Sequence, residues 1–338
     1  MKLACITFTA QGKACAESIL KGLDEWEVSI SVGFGEGKVS LRTWTQHAFE
    51  QAEAVVFVGA SGIAVRAIAP YVTSKTTDPA VLVIDEGGSW IIPLLSGHIG
   101  GANRLATQLA KNSGATAVLT TATDVRGVWA VDEWATEQSI VIKNPRAIKT
   151  ISSRLLKGEH VRLYSDEALE GAYPNLVVDT DDRTEADIVL SPYVGKQDKP
   201  EALRLIPVCM HGGIGCRKET SLESIESAYQ QALEQSGIEE KAIVGVFSID
   251  LKKNEKGLIA FCEKQGWPLS TYSADVLEKV EGSVAHSAFV KEITGVGNVC
   301  ERSALADADA LVYERQSFGA VTIAFAWKKV TYKFEDVI

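Results

Sequence analysis

From its first residue to about residue 125 the chain alternates apolar runs of strand length with helical periods. No other feature constrains the fold as much. Leu3–Phe8, Val28–Val32, Ala54–Val58, Val81–Ile84 and Ala117–Thr121 read as strands, while Ala14–Leu23, Thr45–Ala52, Gly62–Ala69 and Asn103–Lys111 carry helical spacing. Strand and helix in turn are the pattern of a parallel sheet covered on both faces. Trp90–Leu95 stands apart, because the turn Glu86-Gly87-Gly88-Ser89 allows it to return antiparallel. In open α/β sheets the loops leaving strand ends gather along one edge, where ligands bind. Gly59-Ala60-Ser61-Gly62 and Ser96-Gly97-His98 are expected to share such an edge.

Beyond Asp124 the character changes. Pro145, Pro174, Pro192 and Pro200 punctuate a more charged stretch, with a helix expected over Ala147–Leu156 and short strands at Val161–Tyr164, Leu176–Val178 and Asp187–Leu190. A third region opens with a strand, Leu203–Met210, then a glycine-rich turn, His211-Gly212-Gly213-Ile214-Gly215-Cys216, and a helix over Leu222–Leu233. Thr220 and Glu223 have capping-box spacing. A further strand is expected at Ala242–Ile249, followed by a helix at Gly257–Lys264; after Pro268–Tyr272 come helices at Ser273–Val280 and Ala285–Ile293, and a closing pair at Ala310–Glu314 and Ala320–Val330. The expected architecture is a three-part α/β chain. An N-terminal open doubly wound sheet (1–125) precedes a small α/β middle unit (126–201) and a C-terminal three-layer α/β/α domain (202–338).

At 338 residues the chain exceeds one ordinary core, which fits several domains. Its net charge of −10, with no basic run interleaved with aromatics, argues against nucleic acid. The same charge disfavours anionic membranes, and no apolar stretch reaches the ~18 residues that a span needs. Met1–Phe8 reads as a first strand rather than a signal peptide. The six cysteines are scattered without a Cys-x-x-Cys pair, so structural zinc and a redox dithiol are both weak readings. Reduced thiols of that kind point to the cytoplasm.

The stretch Leu94–Leu105 carries the densest chemical signal: an apolar run stops at Ser96, and His98 follows among Gly97, Gly100 and Gly101. Glycines let a backbone approach a bound group closely, and the amides that open a helix can hold an anion or a developing oxyanion. His98 is the one side chain there that titrates near neutrality, so it is a candidate general base. A histidine that merely orders its loop is the plainer alternative. Asp85 and Glu86 end a strand on what reads as the same edge. They are candidate partners for His98, or simply turn caps. Arg66, Lys75 and Arg104 near the loop edges would suit a polyanionic ligand, although singly each reads as a surface charge. The hydroxyls of Thr120 and Thr121 end a strand and suit carboxylates, or only terminate it.

Gly213-Ile214-Gly215 imitates a dinucleotide fingerprint, but Lys218 stands where the third glycine belongs. An anion site built from these amides with Arg217 and Lys218 is the better reading. Cys216 lacks an evident histidine partner for nucleophilic work.

Two separate blocks together resemble one family, the cobalt-precorrin-5A hydrolases of anaerobic cobalamin biosynthesis. The first runs from Gly62–Pro70 through Lys75, Asp78–Val81, Asp85-Glu86 and Leu94–Asn103 to Thr120–Asp124. The second comprises Gly213–Arg217, Ser248–Lys252, Glu255, Gly257-Leu258, Gly295–Glu301, Ala304-Leu305 and Val321–Ala324. The resemblance spans nearly the whole chain, with few identifying residues in the middle. Tyr71 and Thr73 stand where more apolar residues are usual, and Cys300 replaces a usual alanine.

The resemblance implies a cytoplasmic hydrolase of vitamin B12 biosynthesis acting on a tetrapyrrole, cobalt-precorrin-5A. Its δ-lactone would be opened and a two-carbon fragment released as acetaldehyde, giving cobalt-precorrin-5B. Cobalt would arrive with the substrate, leaving the protein no cofactor of its own. His98 would activate water with Glu86 or Asp85 as partner, and the amides of Gly97, Gly100 and Gly101 would hold the oxyanion. Substrate-binding positions would be Arg66, Lys75, Ser96, Asn103, Arg104, Thr120, Thr121, Gly213, Gly215, Arg217, Lys218 and Glu301. Because the protein is acidic and the substrate carboxylated, Arg66, Lys75 and Arg104 are expected on one cleft wall, with Arg217, Lys218 and Arg302 on the other. A homodimer, and transient contact with neighbouring pathway enzymes, are the associations such a role allows. A non-catalytic carrier of a pathway intermediate is the alternative, and a nucleotide-dependent α/β enzyme a weaker one.

Overall fold

A computed structural model describes residues 1–74, 77–98, 100–121, 126–280 and 298–334. They form two compact units, Met1–Trp134 and Ala135–Ile338.

The first unit runs β1 (Lys2–Thr7), α1 (Ala10–Ile19), β2 (Glu27–Val32), α2 (Leu41–Gln51), β3 (Ala54–Val58), α3 (Ser61–Ile68), β4 (Ala80–Ile84), β5 (Trp90–Leu95), α4 (Ala102–Ser113) and β6 (Thr116–Ala117). The sheet order is β2-β1-β3-β4-β5-β6. The first four strands are parallel, and β3 and β4 are buried along their whole length, as continuous Val/Ile/Leu runs in a covered parallel sheet should be. Alternate residues serve opposite faces. Leu3, Cys5, Val56, Val58, Leu82 and Ile84 pack with the buried faces of α1 and α4. Ala4, Ile6, Val55, Phe57, Val81 and Val83 pack with Ala48 of α2 and with Ala64 and Ile68 of α3.

The direction of the last two strands decides where the site lies. β5 runs antiparallel to β4, pairing Ile84 with Ile91 and Val81 with Leu95. β6 is parallel to β5, so β5-α4-β6 is a crossover unit pointing the opposite way to the rest of the sheet. The loop after β5 therefore leaves beside the start of β4, while Gly59–Gly62 leaves from the other edge. The expected shared edge is not observed. The expected strand over Ala117–Thr121 shrinks to Thr116–Ala117.

The second unit holds two larger sheets. In the first, β10 (Val177–Asp179), β8 (Val161–Ser165), β11 (Ile188–Leu190), β12 (Leu203–Ile206) and β7 (Val141–Ile142) lie in that order. Leu203–Ile206 thus pairs with β11 and β7 rather than opening the C-terminal domain. The second sheet is ordered β15 (Leu269–Tyr272), β14 (Ile243–Ile249), β13 (Met210–Cys216), β17 (Val321–Trp327) and β16 (Ala310–Phe318). Helices Leu222–Ser236 and Lys256–Gln265 pack on one of its faces, and Val299–Leu305 crosses the other, which makes the three layers. β18 (Thr331–Lys333) returns to pair with β9 (Ala168–Glu170).

The expected glycine turn is instead the central strand β13, flanked by β14 and β17. Its glycines serve packing. A methyl group on Gly213 would overlap the Cys300 carbonyl oxygen and come within 2.9 Å of the Ala304 Cβ, so only glycine lets the Val299–Leu305 helix lie this close. The following helix is capped by Ser221, whose hydroxyl accepts from the Ser224 amide, one residue later than the Thr220 box implied. Ala285–Ile293 lies outside the described residues.

Candidate functional site

The loop after β5 is closed by its own backbone. The carbonyls of Ser96, Gly97 and His98 accept from the amides of Ala102, Asn103 and Gly101 at 3.1, 2.9 and 2.8 Å. These bonds hold the start of α4 against the loop without a side-chain cap. Ser96 takes a left-handed conformation at φ 56° and Gly101 takes one at φ 80°. Gly100 is confined: a methyl there would overlap the Ser96 Cβ and lie 2.8 Å from its carbonyl oxygen. Gly97 sits on the buried Asn103 side chain, where a Cβ would come within 2.9 Å of Oδ1. Asn103 Nδ2 in turn donates to Thr121 Oγ1 at 3.4 Å. One expectation is corrected by this closure: the Gly101 amide, with the two that follow it, is spent on loop carbonyls and cannot face an oxyanion. The amides of Gly97 and Gly100 carry no such bond among the described residues.

His98 is half-buried in this loop. Its Nδ1 lies 3.5 Å from Oδ2 of Asp132, and the two side chains are 20% and 7% exposed. Asp132 stands in the first turn of a helix, Val131–Glu137. Burial pushes the Asp132 carboxyl up, but contact with His98 and the amides of Asp132 and Glu133 outweigh it and leave the group below its ordinary value. Asp132 is thus ionised beside the imidazole at neutral pH. Sequence reasoning missed it, although an acidic residue opening an amphipathic helix, Val131-Asp132-Glu133-Trp134, was the available signal.

Asp85 and Glu86 are elsewhere. They follow the last residue of β4, whereas Ser96 lies beside its first, so the strand's five residues, roughly 15 Å, separate them from the loop. Asp85 accepts from the amides of Gly87 at 3.1 Å and Trp90 at 2.6 Å, the work of a turn cap. Glu86 accepts from the Thr9 hydroxyl at the start of α1. The partner role expected for them is overturned by the reversal of β5.

Of the cations, Arg104 is exposed in the first turn of α4, its Nη2 within 3.6 Å of where a Gly101 Cβ would be. Arg66 is exposed and folds back onto the Gly62 carbonyl at 3.2 Å. Thr120 is exposed, and Lys75 lies outside the described residues. The second unit holds the remaining candidates. Gly213 and Gly215 have strand backbones committed to β17, so the expected anion cradle is not formed there. Arg217 and Lys218 are exposed in the turn after β13. Glu301 is buried, accepting from Asn298 Nδ2 and from the Arg315 amide, both at 2.7 Å. Arg302 donates to the carbonyls of Leu277, Glu278 and Val280, capping a helix end rather than lining a cleft. Cys216 lies near Lys252 and Glu255, and burial pushes its thiol up, away from the thiolate that a nucleophile needs.

This is an α/β protein with a half-buried histidine on a glycine-shaped βα loop, beside an ionised carboxylate, an arrangement that can chemically take up or release a proton. Family models described as cobalamin synthesis G N-terminal, cobalamin biosynthesis central region and cobalamin synthesis G C-terminus match residues 43–124, 129–207 and 210–326. The cobalt-precorrin-5A hydrolase of Salmonella typhimurium is 37% identical over 268 residues, 75% of this chain and 76% of that protein. That of Priestia megaterium is 28% identical over 90% of this chain and 85% of its own. Among solved structures, CobE from the cobalamin biosynthetic pathway is 28% identical, covers 36% of this chain and 92% of its own, and superposes with a TM-score of 0.34. The chain belongs to the cobalt-precorrin-5A hydrolase family of cobalamin biosynthesis. No helix among the described residues is long and apolar enough to cross a membrane.

Proposed function

We propose that this protein hydrolyses the δ-lactone of cobalt-precorrin-5A and releases acetaldehyde, yielding cobalt-precorrin-5B. The observation that carries this reading is His98 on the Ser96–Gly101 loop of a chain 37% identical to a cobalt-precorrin-5A hydrolase. His98 Nε2 takes a proton from water, and the hydroxide oxygen bonds to the lactone carbonyl carbon. The tetrahedral oxyanion is met by the Gly97 and Gly100 amides, each such donor contributing about 3 kcal/mol to the transition state. The ring C–O bond then breaks, leaving a carboxylic acid and an alkoxide. As the alkoxide becomes the aldehyde carbonyl, the C–C bond to the macrocycle breaks. Its electron pair enters the conjugated ring, which accepts the proton held by His98. Cobalt belongs to the substrate in this scheme and takes no protein ligand. Arg104, near Gly101, would meet one peripheral carboxylate.

Incubating the full chain with the lactone and measuring acetaldehyde tests the reading. Release should be stoichiometric with ring opening, and His98→Ala should lower turnover by roughly 10²–10⁴-fold. Stoichiometric binding without acetaldehyde would instead identify a carrier.

A further inference from the structure

We infer that Asp132 is a positioning residue for His98, holding the proton of the neutral imidazole on Nδ1 so that Nε2 faces the reaction as the base. This rests on the reading of His98 as general base. The Nδ1–Oδ2 distance of 3.5 Å is longer than a made hydrogen bond, and such contacts in substrate-free sites tighten when the substrate enters. The pair is nonetheless built. The carboxylate is buried, its ionised form is favoured, and the ring nitrogen nearest to it is Nδ1. A neutral imidazole donates from one nitrogen and accepts at the other, so a carboxylate at Nδ1 fixes which nitrogen is basic. The arrangement also gives the segment after residue 128 a role. The central family model begins at residue 129, yet Asp132 folds into the first compact unit and completes a site whose histidine lies in the N-terminal match. Among the described residues, Arg104 lies near Gly101, and Glu133 is next to Asp132 on its helix.

The experiment combines turnover with nitrogen NMR of the full chain labelled at its five histidines, the His98 signals being assigned by their loss in His98→Gln. In the unsubstituted protein above its titration, His98 should be the Nδ1–H tautomer; an Nε2–H tautomer overturns the proposal with no variant needed. Asp132→Asn should lower kcat on the order of 10²-fold or more while KM changes little. It should also move the acid limb of the kcat/KM profile, where His98 loses its proton, to lower pH, by about one unit. Asp132→Glu should restore part of both. An unmoved limb and an unchanged tautomer in Asp132→Asn would show Asp132 to be structural only. Failure of the base reading is separate: it shows as full turnover in His98→Ala, whatever the tautomer.

Discussion

The hydroxyl of Ser96 donates to the carbonyl of Asp78 at 2.9 Å, tying the first residue after β5 to the segment that precedes β4. Both residues are buried. Asp78 is itself anchored, its carboxylate accepting from the Thr73 amide and hydroxyl and from the Ser74 amide. The loop bearing His98 is therefore clamped at its start, on the edge where β4 begins. Removing the clamp with Ser96→Ala should cost about 1 kcal/mol of stability. Turnover should fall further than that, since a reacting group displaced by ~1 Å can lose 10²-fold in rate. Paired melting curves and acetaldehyde release measure the two.

Gly100 offers a sharper test of the loop. In Gly100→Ala the new methyl has no room beside Ser96, and relieving an overpacked contact typically costs ~1–3 kcal/mol. The relief must come from the loop that carries His98. A folded variant with turnover lowered at least tenfold is the expected outcome. Undiminished turnover would mean that the loop conformation is not what the chemistry uses.

The placement of Asp85 and Glu86 across the sheet makes a contrasting prediction. Glu86→Gln should leave acetaldehyde release within about threefold of wild type, against the roughly 10²–10⁴-fold that a base contributes. Asp85→Ala should instead lower the melting temperature, because two backbone amides lose their acceptor. A collapse of kcat in folded Glu86→Gln would restore Glu86 to the reaction.

The difference between what could be read and what could not is physical. Ala54–Val58 and Ala80–Ile84 were legible because strands buried on both faces must be apolar throughout. The direction of Trp90–Leu95 was not, since the turn residues before it permit return without dictating it. That ambiguity placed Asp85 on the wrong edge. Gly212–Gly215 read as a turn because glycine favours turns; the helix that requires Gly213 lies some ninety residues later in the chain. The glycines around His98 marked its loop as a tightly shaped one, and that shape is observed. Asp132 could not be paired with His98, because its approach depends on the path taken between Thr121 and Val131.

Acid should weaken the first unit through two carboxylates. For Asp78, burial raises the carboxyl, but hydrogen bonds from Thr73 and Ser74 outweigh it; Asp132 is likewise held down, and both fall below the ordinary 3.8. A carboxyl whose folded value is depressed stabilises the fold above its unfolded value, and that stability is lost as pH falls through the folded one. Asp78→Asn should therefore be less stable than wild type at pH 7, with the difference shrinking below about pH 3.8. Urea midpoints at neutral and acid pH measure this, and a constant difference across pH would contradict it.

In the second unit the decisive contact is between a strand and a helix. Gly213→Ala brings a methyl against the Cys300 carbonyl oxygen and the Ala304 Cβ, both on the helix that crosses β13. Backbone cannot swing aside as a side chain can, so the helix must lift, at ~1–3 kcal/mol or more. Adding Ala304→Gly should recover only part, because the Cys300 carbonyl stays where it is. Gly212→Ala, one residue earlier, is the control. Its Cβ meets the Gly245 carbonyl at 3.4 Å and the Phe325 ring at 3.7 Å, ordinary packing distances, and stability should barely change. Equal losses at the two positions would mean that glycine is needed along β13 for its backbone rather than to admit the helix.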